Sequence, residues 1–169
     1  KMMISGLMVF DNPGKLMQAG PSAEEISYMI SISKDLGMSV MAHCNGVYAA
    51  LAAAKAGVDS IEHGAYLNEE ALYAMKEANV VWVPTLSTIG NLRGKGRFNE
   101  EAVQGIFAST SANLRQFAAM GGLIAPGSDA GAWAVPHGCG SEERLLQEIL
   151  GEKAAEIYQK GNDVIIAKF

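Results

Sequence analysis

Five short apolar runs punctuate this chain, and helix-forming sequence follows each of them. They are Lys1 to Phe10, Met38 to Ala42, Val58 to Glu62, Val80 to Pro84 and Leu123 to Gly127. Runs this uniformly apolar read as strands buried on both faces, and alternation with helices makes those strands parallel. The punctuation between them is specific. Asp11-Asn12-Pro13-Gly14 closes the first run, and Ser22 then caps a helix whose Glu25 completes a capping box. That helix stops at Gly37, a natural left-handed end. A small Ala-rich helix spans about Gly46 to Ala56 and stops at Gly57. Asn68 opens the next, with Glu69 and Glu70 placed where carboxylates suit the helix dipole. Leu86 to Phe98 reads as a polar, Gly-rich loop, Asn99 caps a long helix ending at Gly121-Gly122, and the remainder is helix broken near Gly151. Two architectures satisfy this pattern: an open doubly wound sheet, or part of an eight-stranded α/β barrel. No GxGxxG or Walker loop follows any run, which weighs against a nucleotide-binding sheet.

At 169 residues and 49% hydrophobic, residues 1–169 suffice for one well-filled domain. A net charge of −5 without a basic stripe argues against a nucleic-acid partner. No apolar stretch approaches the roughly 20 residues that span a bilayer, so no membrane role is expected. No secretory signal opens the sequence, and its first residues read as internal to a longer chain. Cys44 and Cys139 lack CxxC spacing, which fits reduced thiols and a cytoplasmic location.

Three motifs carry the chemistry: Ala42-His43-Cys44-Asn45-Gly46, Ile61-Glu62-His63-Gly64 and Gly127-Ser128-Asp129-Ala130-Gly131. Each ends an apolar run. In a parallel strand–helix fold such ends share one rim, where the catalytic groups of barrel enzymes sit. His43 and His63 are 20 residues apart, about one strand–helix repeat, which predicts equal levels on neighbouring strands. Two imidazoles and a carboxylate are ordinary ligands of a catalytic zinc with a position open for water. Such a cation brings the pKa of water towards roughly 7, and a neighbouring carboxylate can move the proton. Cys44 and Glu62 adjoin the two histidines on extended backbone and should point away from them. Tyr66, three residues beyond His63, and His137 in Pro136-His137-Gly138 are candidates to touch substrate. Arg93, Lys95 and Arg97 in the long loop are candidates to bind a carboxylate.

In this order, AHCNG, AGVDSIEHG, VPTLS, and GSDAG followed by VPHG resemble the amidohydrolase superfamily. The likeness is to its Xaa-Pro dipeptidase (prolidase)-like and imidazolonepropionase-like branch, and it runs from Lys1 to about Glu148. It implies a TIM-type (β/α)8 barrel of the metal-dependent hydrolase kind, here strands four to eight only. It implies that His43 and His63 are metal ligands from strands five and six, and that Asp129 is both ligand and general acid/base. Lys1 opens a segment, Lys1-Met2-Met3-Ile4-Ser5-Gly6, resembling one whose lysine is carboxylated to bridge two metals. A lysine suits that role because its pKa falls readily on burial near positive charge. The strand-one His-x-His pair of the family is absent.

The resemblance implies a metal-dependent amidohydrolase with one or two divalent cations, Zn2+ foremost. It would cleave the C–N bond of a dipeptide or N-acyl amino acid by activated water. A mononuclear cyclic-amidine or lactam hydrolase, or a deaminase of the imidazolonepropionase type, is the alternative, and it would not need Lys1. A non-catalytic half-barrel needing a partner chain is another. The segment alone is expected to be inactive, and its exposed sheet edges predict self-association or pairing with the missing half of a barrel.

Overall fold

In the computed structural model, which describes residues 1–169, the apolar runs form one parallel sheet. Its strands are β1 (Met2–Met3), β2 (Met41–Cys44), β3 (Ser60–His63), β4 (Val81–Val83) and β5 (Leu123–Ile124). Their spatial order is their chain order. That decides between the two architectures: a doubly wound sheet needs a point where strand order reverses, whereas a barrel adds each strand beside the last. The five strands are therefore part of a (β/α)8 barrel.

The caps work as their chemistry requires. The Ser22 Oγ accepts from the Glu25 N–H, and the Glu25 carboxylate accepts from the Ser22 N–H, opening α1 (Ala23–Asp35). The second helix, α2 (Val47–Ala56), ends on Gly57 in the left-handed region. Asn68 and Asn99 open α3 (Glu69–Glu77) and the long helix Glu100–Ala119 by accepting from the backbone N–H of Ala71 and Ala102. Between these two helices lies α4 (Ser87–Gly90), one turn inside the segment expected to be loop, so the long helix is α5. The C-terminal part is α6 (Ser141–Leu150), a single 3-10 turn at Gly151–Lys153, and α7 (Ala154–Lys168).

The first run pairs over less of its length than its apolar character suggests. Only Met2 and Met3 register with Ala42 and His43; the chain then folds back, with Met8 bridging Leu16 and the Val9 N–H donating to the Lys15 carbonyl. Gly6 permits this, because a Cβ there would collide with the backbone of Gln18. Residues 6–17 thus become a rim loop rather than strand.

The two faces of the sheet bury different partners. Ala42, Cys44, Ile61, Trp82 and Ile124 pack against the helices in the main core, where Phe117 of α5 meets the Trp82 ring edge-on at 5.7 Å. On the opposite face Val81, Val83 and Ala125 are covered by Val164 and Ile165 of α7. This helix lies across the sheet: its Lys168 pairs with Asp59 just before β3, and the Lys168 carbonyl accepts from the Ser39 hydroxyl before β2. No helix is long and apolar enough to cross a membrane.

The approach of α7 depends on Gly161, which is buried and touches the Ile124 carbonyl so closely that any Cβ would overlap it. Gly161→Ala should therefore lift α7 from β5 and destabilise the fold by about 1–3 kcal/mol, the usual cost of overpacking. A denaturant titration reads this as a lower midpoint; an unchanged midpoint would mean that α7 does not pack there.

Candidate active site

Beyond the strand ends lies a cavity of about 630 Å³ that brings together Lys1, His43, His63 and Asp129. These are the four residues the sequence offered as metal ligands. Tyr66 and His137 do not line it. Tyr66 packs against the main core, its hydroxyl buried without a well-formed hydrogen bond. His137 stands beside Gly131, against the loop that carries Asp129.

The histidines do not sit at equal levels. His43 registers with Glu62, and His63 registers with Cys44, one residue farther along. Alternation alone would send the His63 side chain to the helix side with Cys44. Instead His63 adopts φ +71°, in the left-handed region, and its ring meets that of His43 edge-on at 4.6 Å between centroids. Thr85 (φ +47°) and Asp129 (φ +54°) bend the same way just past β4 and β5. Non-glycine residues there are strained and persist only where their surroundings hold them.

Those surroundings can be named. The His63 Nδ1 and the Thr85 hydroxyl share a 2.7 Å hydrogen bond, and the His63 carbonyl accepts from the Trp82 indole N–H at 2.9 Å. The following Gly64 is required because a Cβ would press on the Trp82 ring. His43 is held differently. Its Nε2 lies 3.3 Å from both the Gly6 carbonyl and the Asn45 amide nitrogen. Asn45, wholly buried, also takes the Ala65 N–H on its Oδ1 and donates its own N–H to Ser5. It therefore ties together the loops after β1, β2 and β3. Asn45 and Thr85 stand inside motifs legible in the sequence, yet nothing in their type marks them as supports.

Electrostatics follow from burial. His63 is pushed down to about 4, first by desolvation and then by the neighbouring His43. His43 is lowered too, chiefly by desolvation, while its bond to Gly6 pulls the other way. Both imidazoles are thus neutral near pH 7, the form that donates a lone pair. Glu62 is raised by burial and takes the Ser60 hydroxyl at 2.7 Å on the same side of the sheet as His43. Cys44 faces the main core, where burial pushes its thiol up to about 12, so it is inert.

The donor chemistry fits a divalent cation: two neutral imidazoles, each oriented by a partner as metal-binding histidines usually are, with a carboxylate and an amine on the same cavity. The side chains surround the cavity rather than one point, since no three His, Cys, Asp or Glu groups form a ready cluster. The other walls are apolar or aromatic, including Met8, Phe10, Phe98 and Trp133, with Phe10 and Phe98 stacked at 4.9 Å.

A second polar anchor lies behind the site. Glu142, at the start of α6, is buried and accepts from the Leu86 N–H (3.0 Å), the Ser87 N–H (2.7 Å) and the Ser87 hydroxyl (2.9 Å). It pins the turn that begins with Thr85 to the helix that follows the Asp129 loop.

No family model matches the chain. Ochratoxinase of Aspergillus niger is 36% identical over 90 residues, which are 53% of this chain and 18% of that protein. Among solved structures, a Xaa-Pro dipeptidase with methionine bound in its active site superposes with a TM-score of 0.79 at 25% identity, over 98% of this chain and 43% of that one. A prolidase complexed with N-methylphosphonate-L-proline gives 0.76 at 27% identity, over 99% and 43%. The A. niger ochratoxinase structure gives 0.76 at 26%, over 94% and 36%. The chain spans less than half the length of each.

Two substitutions test the supports. Thr85→Ala should weaken divalent-metal binding by about 10–100-fold, the usual cost of losing the group that orients a ligating His, and Thr85→Ser should restore it; equal binding by all three proteins would remove Thr85 from the site. Glu142→Gln puts an amide NH2 in place of one acceptor oxygen, against the backbone N–H of Leu86 or Ser87, and should cost about 1–3 kcal/mol. Burial raises the Glu142 pKa from 4.5 to about 7, against the pull of its Ser87 and Leu86 bonds. Between those values the folded state keeps a proton that the unfolded chain releases, so this group's contribution falls as pH rises through the window. The difference in urea midpoint between the parent and the Gln variant, followed from pH 4.5 to 8, should carry that slope, since the histidines titrate alike in both; a pH-independent difference would remove Glu142 from the effect.

Proposed function

From a chain with the fold and motif order of prolidase-like amidohydrolases, we propose a metal-dependent hydrolase that cleaves the C–N bond of a dipeptide or N-acyl amino acid. The observation carrying this reading is the convergence of Lys1, His43, His63 and Asp129 on one apolar cavity beyond the strand ends. His43, His63 and Asp129 would hold a divalent cation, zinc by donor type, with Lys1 as a carboxylated fourth ligand. When bound, such a cation lowers the pKa of water to about 7 and polarises a carbonyl oxygen.

The chain's own residues supply the remainder. Thr85 holds His63 with Nδ1 engaged, which leaves Nε2 for the cavity. Asn45 and the Gly6 carbonyl hold His43 in place. Asp129 is exposed on the rim, where a carboxylate can take a proton from water and return it to the departing amine. Phe10, Phe98 and Met8 exclude water and offer an apolar surface to a substrate side chain. Arg97, on the same cavity, suits the substrate carboxylate.

The test belongs to the full-length protein that carries this sequence. Asp129→Asn should retain metal while lowering turnover of an N-acyl amino acid by about 10²–10⁴-fold, the range of general acid–base catalysis. Metal content and turnover would be measured in parallel; a metallated variant with parental turnover would remove Asp129 from the chemistry. A carbamate signal in the 13C NMR spectrum of the native protein equilibrated with 13C-bicarbonate, lost on Lys1→Ala, would be the mark of carboxylation, and its absence from an active, single-metal protein would favour the mononuclear cyclic-amide reading.

A further inference from the structure

Trp133 and Ala134 form a wall shared with a second cavity, of about 550 Å³, bounded on its far side by Arg93, Lys95 and Arg144. All its charged lining residues are cations, in a chain whose net charge is −5. None of the three is within ion-pair distance of a carboxylate; the ion pairs of this fold are Lys76–Glu77, Lys160–Glu156 and Lys168–Asp59. The acids nearest in sequence are otherwise engaged or unpaired. Glu142 is turned inward onto Leu86 and Ser87, and Glu100 accepts from the Gly94 N–H and the Gln104 amide. Glu143 and Glu148 flank Arg144 on α6 without pairing to it.

Arg93 is what distinguishes this cavity from a solvated charged loop. Its guanidinium lies 3.8 Å above the Phe107 ring, and its Nε donates to the Gly90 carbonyl at 3.2 Å. A freely solvated arginine has no such plane. Here the plane is set before any ligand arrives, with the terminal N–H groups unpaired, so little side-chain entropy remains to be lost on binding. Lys95 adds a point charge from the same loop, and Arg144 a second guanidinium from α6. Arg97 lies 4.0 Å over Trp133 and opens onto the first cavity, so positive charge continues past the shared wall.

We propose that this second cavity is a binding site for a small oxyanion, the carboxylate or phosphate group of a small molecule, adjoining the hydrolytic cavity. A planar guanidinium with two free donors matches either group bidentately, and the remaining cations neutralise it. None of Lys1, His43, His63 and Asp129 lines this second cavity.

Calorimetric titration of the full-length protein at low salt, with inorganic phosphate and separately with succinate, provides the test. One-to-one saturable binding at millimolar concentration is the expected result for at least one probe. Binding of phosphate alone assigns a phosphoryl ligand, and binding of succinate alone assigns a carboxylate. Arg93→Gln and Arg144→Gln should each weaken binding by about tenfold or more, the loss of a charge-assisted hydrogen bond. Arg144 and Lys95 are exposed, so Arg144→Gln and Lys95→Gln remain informative if the Arg93 variant fails to fold. Lys160→Gln, on α7, is the control for net charge alone. Binding of neither probe, binding untouched in the Arg144 and Lys95 variants, or an equal loss in the Lys160 variant would each overturn the proposal.

Discussion

A parallel sheet delivers the C-terminal ends of all its strands to one rim, but it does not by itself aim their side chains. Here the register between β2 and β3 pairs His43 with Glu62 and leaves His63 opposite Cys44, on the wrong side for a shared site. A left-handed residue at His63 corrects this, and left-handed residues at Thr85 and Asp129 recur past the next strand ends. Conformations of this kind cost of order 1–3 kcal/mol each where the residue is not glycine. At His63 and Thr85 the bend is held by their neighbours: the Thr85 hydroxyl on His63 Nδ1 and the Trp82 indole of β4 on the His63 carbonyl. The site is thus built from bent strand ends that brace one another.

The bracing extends outward in two layers. Asn45 joins the turns after β1, β2 and β3 through Ser5, Gly6 and Ala65. Glu142 joins the turn after β4 to the helix after β5 through Leu86 and Ser87. Neither residue lies on a strand, yet between them they tie the turns after the first four strands either to one another or to α6. Both are buried polar groups with partners in place, the condition under which such groups rigidify a fold rather than weaken it.

This explains which parts were legible in the sequence. Ser22, Asn68 and Asn99 act within three residues of themselves, so the helix starts they announce are the helix starts observed. The rim position of His43, His63 and Asp129 follows from strand ends and turn residues, which are also local. The short pairing of β1 was not legible, because it depends on Gly6 meeting Gln18 across a folded-back loop. Nor was α4, whose first N–H groups are capped by Glu142, more than fifty residues away. Tyr66 too is left-handed, with φ +61°, so counting from His63 along regular backbone does not say which way it faces. Long-range contacts and backbone bends leave no mark at the residue they act on.

The cavity's chemistry depends on the same arrangement. Burial of His43 against His63 keeps both imidazoles neutral chiefly by desolvation, with the Lys1 charge pushing the same way. A neutral, oriented imidazole pair binds a divalent ion without first losing protons, and loses less entropy than a flexible one. Low dielectric also strengthens any charge that enters. The cations around the cavity are accordingly set at its margin: Arg97 stacked on Trp133, and Arg93 and Arg144 beyond that wall. Placed there, they can attract an anion to the site from the margin of the cavity that Lys1 and Asp129 share with the histidines.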